Sequence, residues 1–163
     1  RWKGENVSTC EVSEALCAFP GIEEAIVYGV AIPGADGRAG MATLAIDGEL
    51  DLAALRQHLA ARLPHYARPL FLRIRNEMEV TATFKYKKAD LVRQGYDPAA
   101  TSDAIYFDCA ERDAFVRLES AGYDRIQLGL FHLDHFHAGR REPHSFGLIQ
   151  PIQAHGNLDA DPA

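Results

Sequence analysis

The first 98 residues predict a small layered fold of mixed helices and strands, with the helices packed against one sheet. Three observations carry that prediction. The run Ala25-Ile26-Val27-Tyr28-Gly29-Val30 is continuously apolar and rich in β-formers, and Pro33-Gly34 closes it. Leu52, Leu55, Leu59 and Leu63 recur at helical spacing up to Pro64. Residues 69–75, PLFLRIR, alternate apolar with charged side chains, as a strand does.

The elements follow in order. Residues 1–7, RWKGENV, read as the end of a surface turn, in which Gly4 permits a tight or left-handed bend. Ser8 and Glu11 have the spacing of a capping box, and Val12, Leu16 and Phe19 repeat helically behind them. A helix is therefore expected over about 9–18, ended by Pro20-Gly21. The apolar run within 22–32 reads as a strand buried on both faces, hence central in its sheet. A second strand is expected from about Gly40 to Ile46, closed by Asp47-Gly48. Asp51 stands where an acid would cap the leucine-striped helix. In 69–75, Leu70, Leu72 and Ile74 face one way and Arg73 and Arg75 the other, which reads as a strand with one solvated face, at or near an edge. A short helix over about 86–93 precedes Gly95 and Pro98.

Beyond residue 98 the pattern weakens. Tyr106-Phe107 and residues 114–118 read as short strands, and Tyr123, Ile126 and Leu130 suggest a short helix around 119–128. Residues 134–163 are rich in His, Gly, Pro, Gln and Asp and predict an irregular tail, poorly ordered or separately docked and dispensable for the fold. The expected organisation is a small domain over 1–98, an extension over 99–133 and the tail over 134–163.

Composition bounds the function. At 163 residues the chain has room for one domain and an extension. Its net charge of -6 falls mostly on the second part, about -1 over 1–100 and about -5 over 101–163. That argues against a backbone-gripping nucleic-acid binder, which needs a concentrated basic face. Cys10, Cys17 and Cys109 show no CxxC spacing, which fits a reducing compartment and not a disulfide scaffold. No apolar run is long enough for a membrane span. The chain opens on Arg1 and is expected to be a piece of a longer protein.

The chemistry concentrates in residues 81–91, TATFKYKKADL. Lys85, Lys87 and Lys88 fall within four residues, and an ordered lysine there is a movable point charge for a phosphate or carboxylate. A solvated first turn of a surface helix accounts for the same run. There is no G-x-G-x-x-G and no G-x-x-x-x-G-K-[ST], so no phosphate-cradling loop is complete within the chain.

Three segments in this order, RWKGENVST with Glu11, LPHYARP running into FLRI, and TATFKYKK, resemble the small C-terminal domain of the adenylate-forming (AMP-binding) enzymes. Within that superfamily RWKGENVST, GRAGMA and TFKYKK look most like the fatty acid transport proteins, which are long- and very-long-chain acyl-CoA synthetases. The likeness covers residues 1 to about 133. It implies an α+β fold with a central, mostly antiparallel three-stranded sheet and packed helices. It also implies a ligase forming carbon–sulfur bonds: a fatty acid is activated with ATP and Mg2+, then passed to the thiol of coenzyme A. The acyl pocket and most of the ATP site would belong to a large N-terminal adenylation domain, with the hinge before Arg1. Alone, this portion is expected to be inactive. Lys85 matches the lysine of the family's closing loop, which serves the first half-reaction. Phe84 stands where the wider superfamily has Gly, a departure the transport-protein group shares. Lys87 and Lys88 match no assigned role. Lys3, Gly4 and Glu5 match the loop that faces the pantetheine arm of coenzyme A in the second half-reaction, and Gly4 would let the backbone come close. The sequence leaves Trp2 open between an interdomain contact and a core residue. The resemblance implies a cytoplasmic enzyme with no transmembrane segment, peripheral at a membrane when complete.

Two other functions fit the same residues: a non-catalytic folding or docking module, and a ligase loading a carrier-protein thiol. An upstream large domain separates the leading reading from the first, and preference for free coenzyme A from the second. No metal site is predicted. HLDHFH brings together His132, His135 and His137, but no fourth ligand has suitable spacing. His65 reads as a surface residue, not a base.

Overall fold

A computed structural model describes residues 1–75 and 84–130, with the backbone alone for 84–87. The motif residues Thr81–Thr83, the HLDHFH cluster and the tail over 134–163 lie outside the described residues.

Local chemistry sets the first two helices. Helix α1 spans Thr9–Cys17, and its N-cap Ser8 accepts a hydrogen bond from the Glu11 amide at 3.3 Å. Helix α2 spans Leu52–Arg62, and Asp51 accepts from the amides of Ala53 and Ala54 at 3.0 and 2.9 Å. His58 of α2 donates through Nε2 to the Ala15 carbonyl, 2.8 Å away, joining the two helices.

Among the described residues the sheet holds five strands in the order β1 (Ile22–Val30), β2 (Ala39–Ile46), β3 (Phe71–Arg75), β4 (Ala104–Cys109) and β5 (Ala114–Arg117). The expected three strands thus become five, because the chain beyond residue 98 adds β4 and β5 beside β3. Three of the four pairings are antiparallel. The β2–β3 pairing is parallel, with Thr43 opposite Arg73, because α2 forms the crossover between those strands.

Alternation splits the core into two layers. Val27, Ala42, Leu44 and Leu72 pack with Leu16, Leu55 and Leu59 of α1 and α2. Tyr28, Met41, Phe71, Ile105 and Phe107 face the other way. There they meet Leu91 of α3 (Phe84–Gln94) and Ile126 of α4 (Ser120–Gln127). The helices therefore cover both faces of one sheet, giving a small three-layered α+β domain.

Two strand placements differ from expectation. β1 is buried on both faces yet lies at the edge, because helices above and below bury it and burial says nothing about a lateral neighbour. β3, expected near an edge with its arginines in solvent, is the central strand. Arg73 is buried at 4% exposure because it is neutralised within the protein.

Candidate functional site

The N-terminal turn is built on two reciprocal backbone hydrogen bonds, Trp2 N–H to the Glu5 carbonyl and Glu5 N–H to the Trp2 carbonyl, both 2.9 Å. Its central residues, Lys3 and Gly4, both have positive φ, 46° and 89°, the signature of a tight two-residue hairpin turn. The left-handed conformation costs Gly4 little; Lys3 adopts it under anchoring from either side. Trp2 is 3% exposed and lies in the core on the α3 and α4 face, which answers the question the sequence left open. The Lys3 amide donates to the Asp36 carbonyl at 3.3 Å, and the Arg38 amide to the Arg1 carbonyl at 2.8 Å. Gly37 sits under this junction: a Cβ there would come within 2.4 Å of the Arg1 carbonyl oxygen.

The turn presents its tip outward. A Cβ built on Gly4 meets nothing within 4 Å, so the space above the backbone is open to an approaching chain. Arg1 Nε donates to the Gly4 carbonyl at 2.9 Å, and the Lys3 ammonium lies 5.6 Å from the Trp2 ring centroid. Glu5 is exposed.

At the same end of the sheet, a shallow surface pocket is lined by Arg56, His65, Arg68, Asp108 and Phe115 among others. Arg56 Nε donates to Asp108 at 2.7 Å, and its Nη1 to Asp113. Arg68 donates to the carbonyls of Leu63 and Ala60 at 3.1 Å each, capping the C-terminal end of α2. Burial, then the charges of Arg68 and Lys3, hold the His65 imidazole below its usual pKa. The sequence assigns no role to Arg56 or Arg68, since their partners are distant along the chain or are backbone carbonyls.

Lys85 is the second residue of α3, so the helix begins two residues earlier than its apolar pattern suggests. No acidic residue lies in that first turn, and Lys85, Lys87 and Lys88 stand at the end where the helix dipole is positive. Lys88 is exposed. The side chains of 84–87 lie outside the described residues. β3 leaves the sheet at Arg75, at the end opposite the Lys3–Gly4 turn.

Residues 11–85 match the family model described as the AMP-binding enzyme C-terminal domain. This segment is such a domain. The match opens after the Lys3–Gly4 turn and closes on Lys85. The chain carrying this domain is 45% identical over 128 residues to long-chain fatty acid transport protein 6 of Mus musculus, across 77% of this chain and 21% of that protein. It is 45% identical over 134 residues to long-chain fatty acid transport protein 1 of Homo sapiens, across 82% and 21%. It thus spans about a fifth of the length of the curated relatives it matches. Solved structures share the fold. An R395G mutant of coronafacic acid ligase from Pectobacterium brasiliense superposes with a TM-score of 0.54 at 18% identity, covering 66% of this chain and 21% of that one. A Mycobacterium tuberculosis fatty acyl CoA synthetase gives 0.50 at 24%, covering 57% and 18%. No helix among the described residues is long and apolar enough to cross a membrane, and no three His, Cys, Asp or Glu side chains there gather as a metal site.

Proposed function

We propose that this chain is the C-terminal portion of an ATP-dependent long-chain or very-long-chain fatty acyl-CoA ligase, working with a large N-terminal adenylation domain. The observation that carries this reading is the 45% identity to long-chain fatty acid transport proteins over 128–134 residues, around an AMP-binding enzyme C-terminal domain. ATP supplies the adenylyl group that activates the fatty acid, and coenzyme A the thiol that accepts it. This chain supplies two surfaces to that chemistry.

Lys85 serves the first. A lysine in the first turn of a helix opposes the helix dipole, and three lysines within the first five residues leave this end short of negative charge. A carboxylate attacking a phosphoryl centre brings that charge, and Lys85 would hold the two anions in line. The Lys3–Gly4–Glu5 turn serves the second. Its open tip admits the pantetheine arm against the Gly4 backbone, a space that any larger side chain would enter. Because these surfaces lie on different parts of the domain, each half-reaction requires its own orientation of the domain against its partner. Mg2+ would be held by the ATP phosphates and the large domain. The complete enzyme is cytoplasmic and peripheral at a membrane, where its fatty acid resides.

The experiment is a pair of substitutions in the complete enzyme, followed by single-turnover kinetics on each half-reaction. Lys85→Ala slows adenylate formation by about 10²–10³, the loss of one transition-state charge contact, and spares transfer from supplied acyl-adenylate. Gly4→Leu does the reverse. Equal slowing of one and the same step by both, with the fold intact, refutes the assignment. The 163-residue chain alone shows no oleate-dependent exchange of pyrophosphate into ATP.

A further inference from the structure

Arg73 is a buried cation at the centre of the sheet, and its guanidinium ties two segments to β3, the end of α3 and the loop over 101–103. Nε donates to Asp103 Oδ2 at 2.6 Å, Nη1 to Gln94 Oε1 at 2.6 Å, and Nη2 to Thr101 Oγ1 at 2.8 Å. Thr101 Oγ1 also accepts from the Asp103 amide at 3.1 Å, which fixes the carboxylate, and Arg75 shares that carboxylate at 3.4 Å. A buried ion pair of this kind adds little net stability over a well-packed apolar core. What three directed bonds from one planar group impose is geometry.

The geometry concerns α3. Gln94 is its last residue, and the described anchors of the helix all lie at that end. Leu91 is buried, Tyr96 stacks on Phe71 with ring centroids 4.3 Å apart, and Gln94 is held by Arg73. Lys88, Ala89 and Asp90 are exposed. These contacts fix α3 at its C-terminal end. Lys85 lies nine residues away, about 13.5 Å along the axis at 1.5 Å per residue. A tilt of about 5° at the held end moves Lys85 by roughly 1 Å, and a 1 Å misplacement of a catalytic group can cost about 10²-fold in rate.

We propose that Arg73 is a positioning residue for adenylation, and that its clamp on Gln94 sets the direction in which α3 presents Lys85. The inference rests on the role proposed above for Lys85. The Lys3–Gly4 turn stands at the other end of the sheet and is not held by this clamp.

The test uses Gln94→Ala, Arg73→Lys and Arg73→Met in the complete enzyme, with Lys85→Ala as reference, and measures each half-reaction. Hydrogen exchange is followed at α3 and, for comparison, α1. Gln94→Ala removes one bond and leaves Arg73 paired with Asp103, so it keeps the fold where Arg73→Met fails to. Gln94→Ala is expected to slow adenylation by about 10–100-fold, leave transfer from supplied acyl-adenylate within about 2-fold, and speed exchange in α3 but not α1. Arg73→Lys is expected to fall between wild type and Arg73→Met, because an ammonium keeps the charge but not the three-way fork. If Gln94→Ala slows both half-reactions by one factor, or neither, while Lys85→Ala slows adenylation alone, the positioning role is overturned. If Lys85→Ala leaves adenylation intact, the role of Lys85 falls. The clamp is then decided by exchange: faster exchange confined to α3 supports it, and unchanged exchange overturns it.

Discussion

Residues 99–130 complete the sheet, and cutting the chain after Pro98 is expected to abolish the cooperative fold. The cut removes β4, β5 and α4, and with them the buried side chains of Ile105, Phe107, Phe115, Leu118 and Ile126. At about 1.5–3 kcal/mol for each large apolar side chain, the loss is on the order of 10 kcal/mol. A domain of this size has a total stability of only about 5–15 kcal/mol. The cut also takes Asp103 and Thr101 from Arg73, leaving a cation buried at the centre of the sheet without its carboxylate. Urea unfolding followed by circular dichroism on polypeptides 1–98 and 1–130 tests this. The longer one should show a single cooperative transition and the shorter one none. The substitution Ile105→Ala in the intact chain gives a graded check, since Ile105 is 1% exposed and its truncation should cost about 2–4 kcal/mol. A cooperative transition in 1–98, with a midpoint within about 0.5 M of that of 1–130, would refute the reasoning.

Two further outcomes concern the neighbourhood of the turn. Gly37→Ala should destabilise the domain by about 2–4 kcal/mol, since positive φ and a backbone clash combine there. Gly4→Ala should cost only about 1 kcal/mol, from its φ alone, and equal midpoint shifts for the two would contradict the packing around Arg1. His65 should make the fold sensitive to acid. Burial and Arg68 hold its folded pKa below the 6.5 of the unfolded chain, so the unfolded state takes up the proton first as pH falls. Stability contributed by the neutral ring is present above pH 6.5 and lost as pH drops through the folded value. His65→Gln should therefore lose less stability than wild type between pH 7.5 and 5, read as urea midpoints; an equal loss would remove His65 from the account.

What could be read from the sequence was what neighbours in the chain decide. Ser8 and Asp51 cap helices by bonding amides two or three residues on, so their roles are written locally. Gly4 announces a turn by itself. Lys3 at φ 46° does not, because an L-residue in that conformation depends on anchors such as the Asp36 carbonyl. Arg73 shows the limit most clearly. Alternation placed it opposite Leu72 and Ile74, which is right, and charge suggested solvent on that face, which is not. The carboxylate that makes burial tolerable is Asp103, thirty residues later. β1 errs in the opposite sense: double-sided burial reports the helices above and below a strand, and an edge strand covered by helices reads like a central one.

The order of strands was nevertheless within reach of physical argument. A strand over 40–46, a helix over 52–62 and a strand over 71–75 make a βαβ unit, whose crossover returns the second strand parallel to the first. That places β3 beside β2, on the side that β1 does not occupy. β3 then has one free edge, and the short apolar segments at 104–109 and 114–117 are the strands available to fill it. A central β3 in turn requires Arg73 to be buried on a covered face, and a buried arginine requires a carboxylate close by in space. Followed in that sequence, the topology would have pointed to a polar clamp beneath α3 before any distance was known. It is the same clamp that now ties the last turn of the lysine-bearing helix to the middle of the sheet.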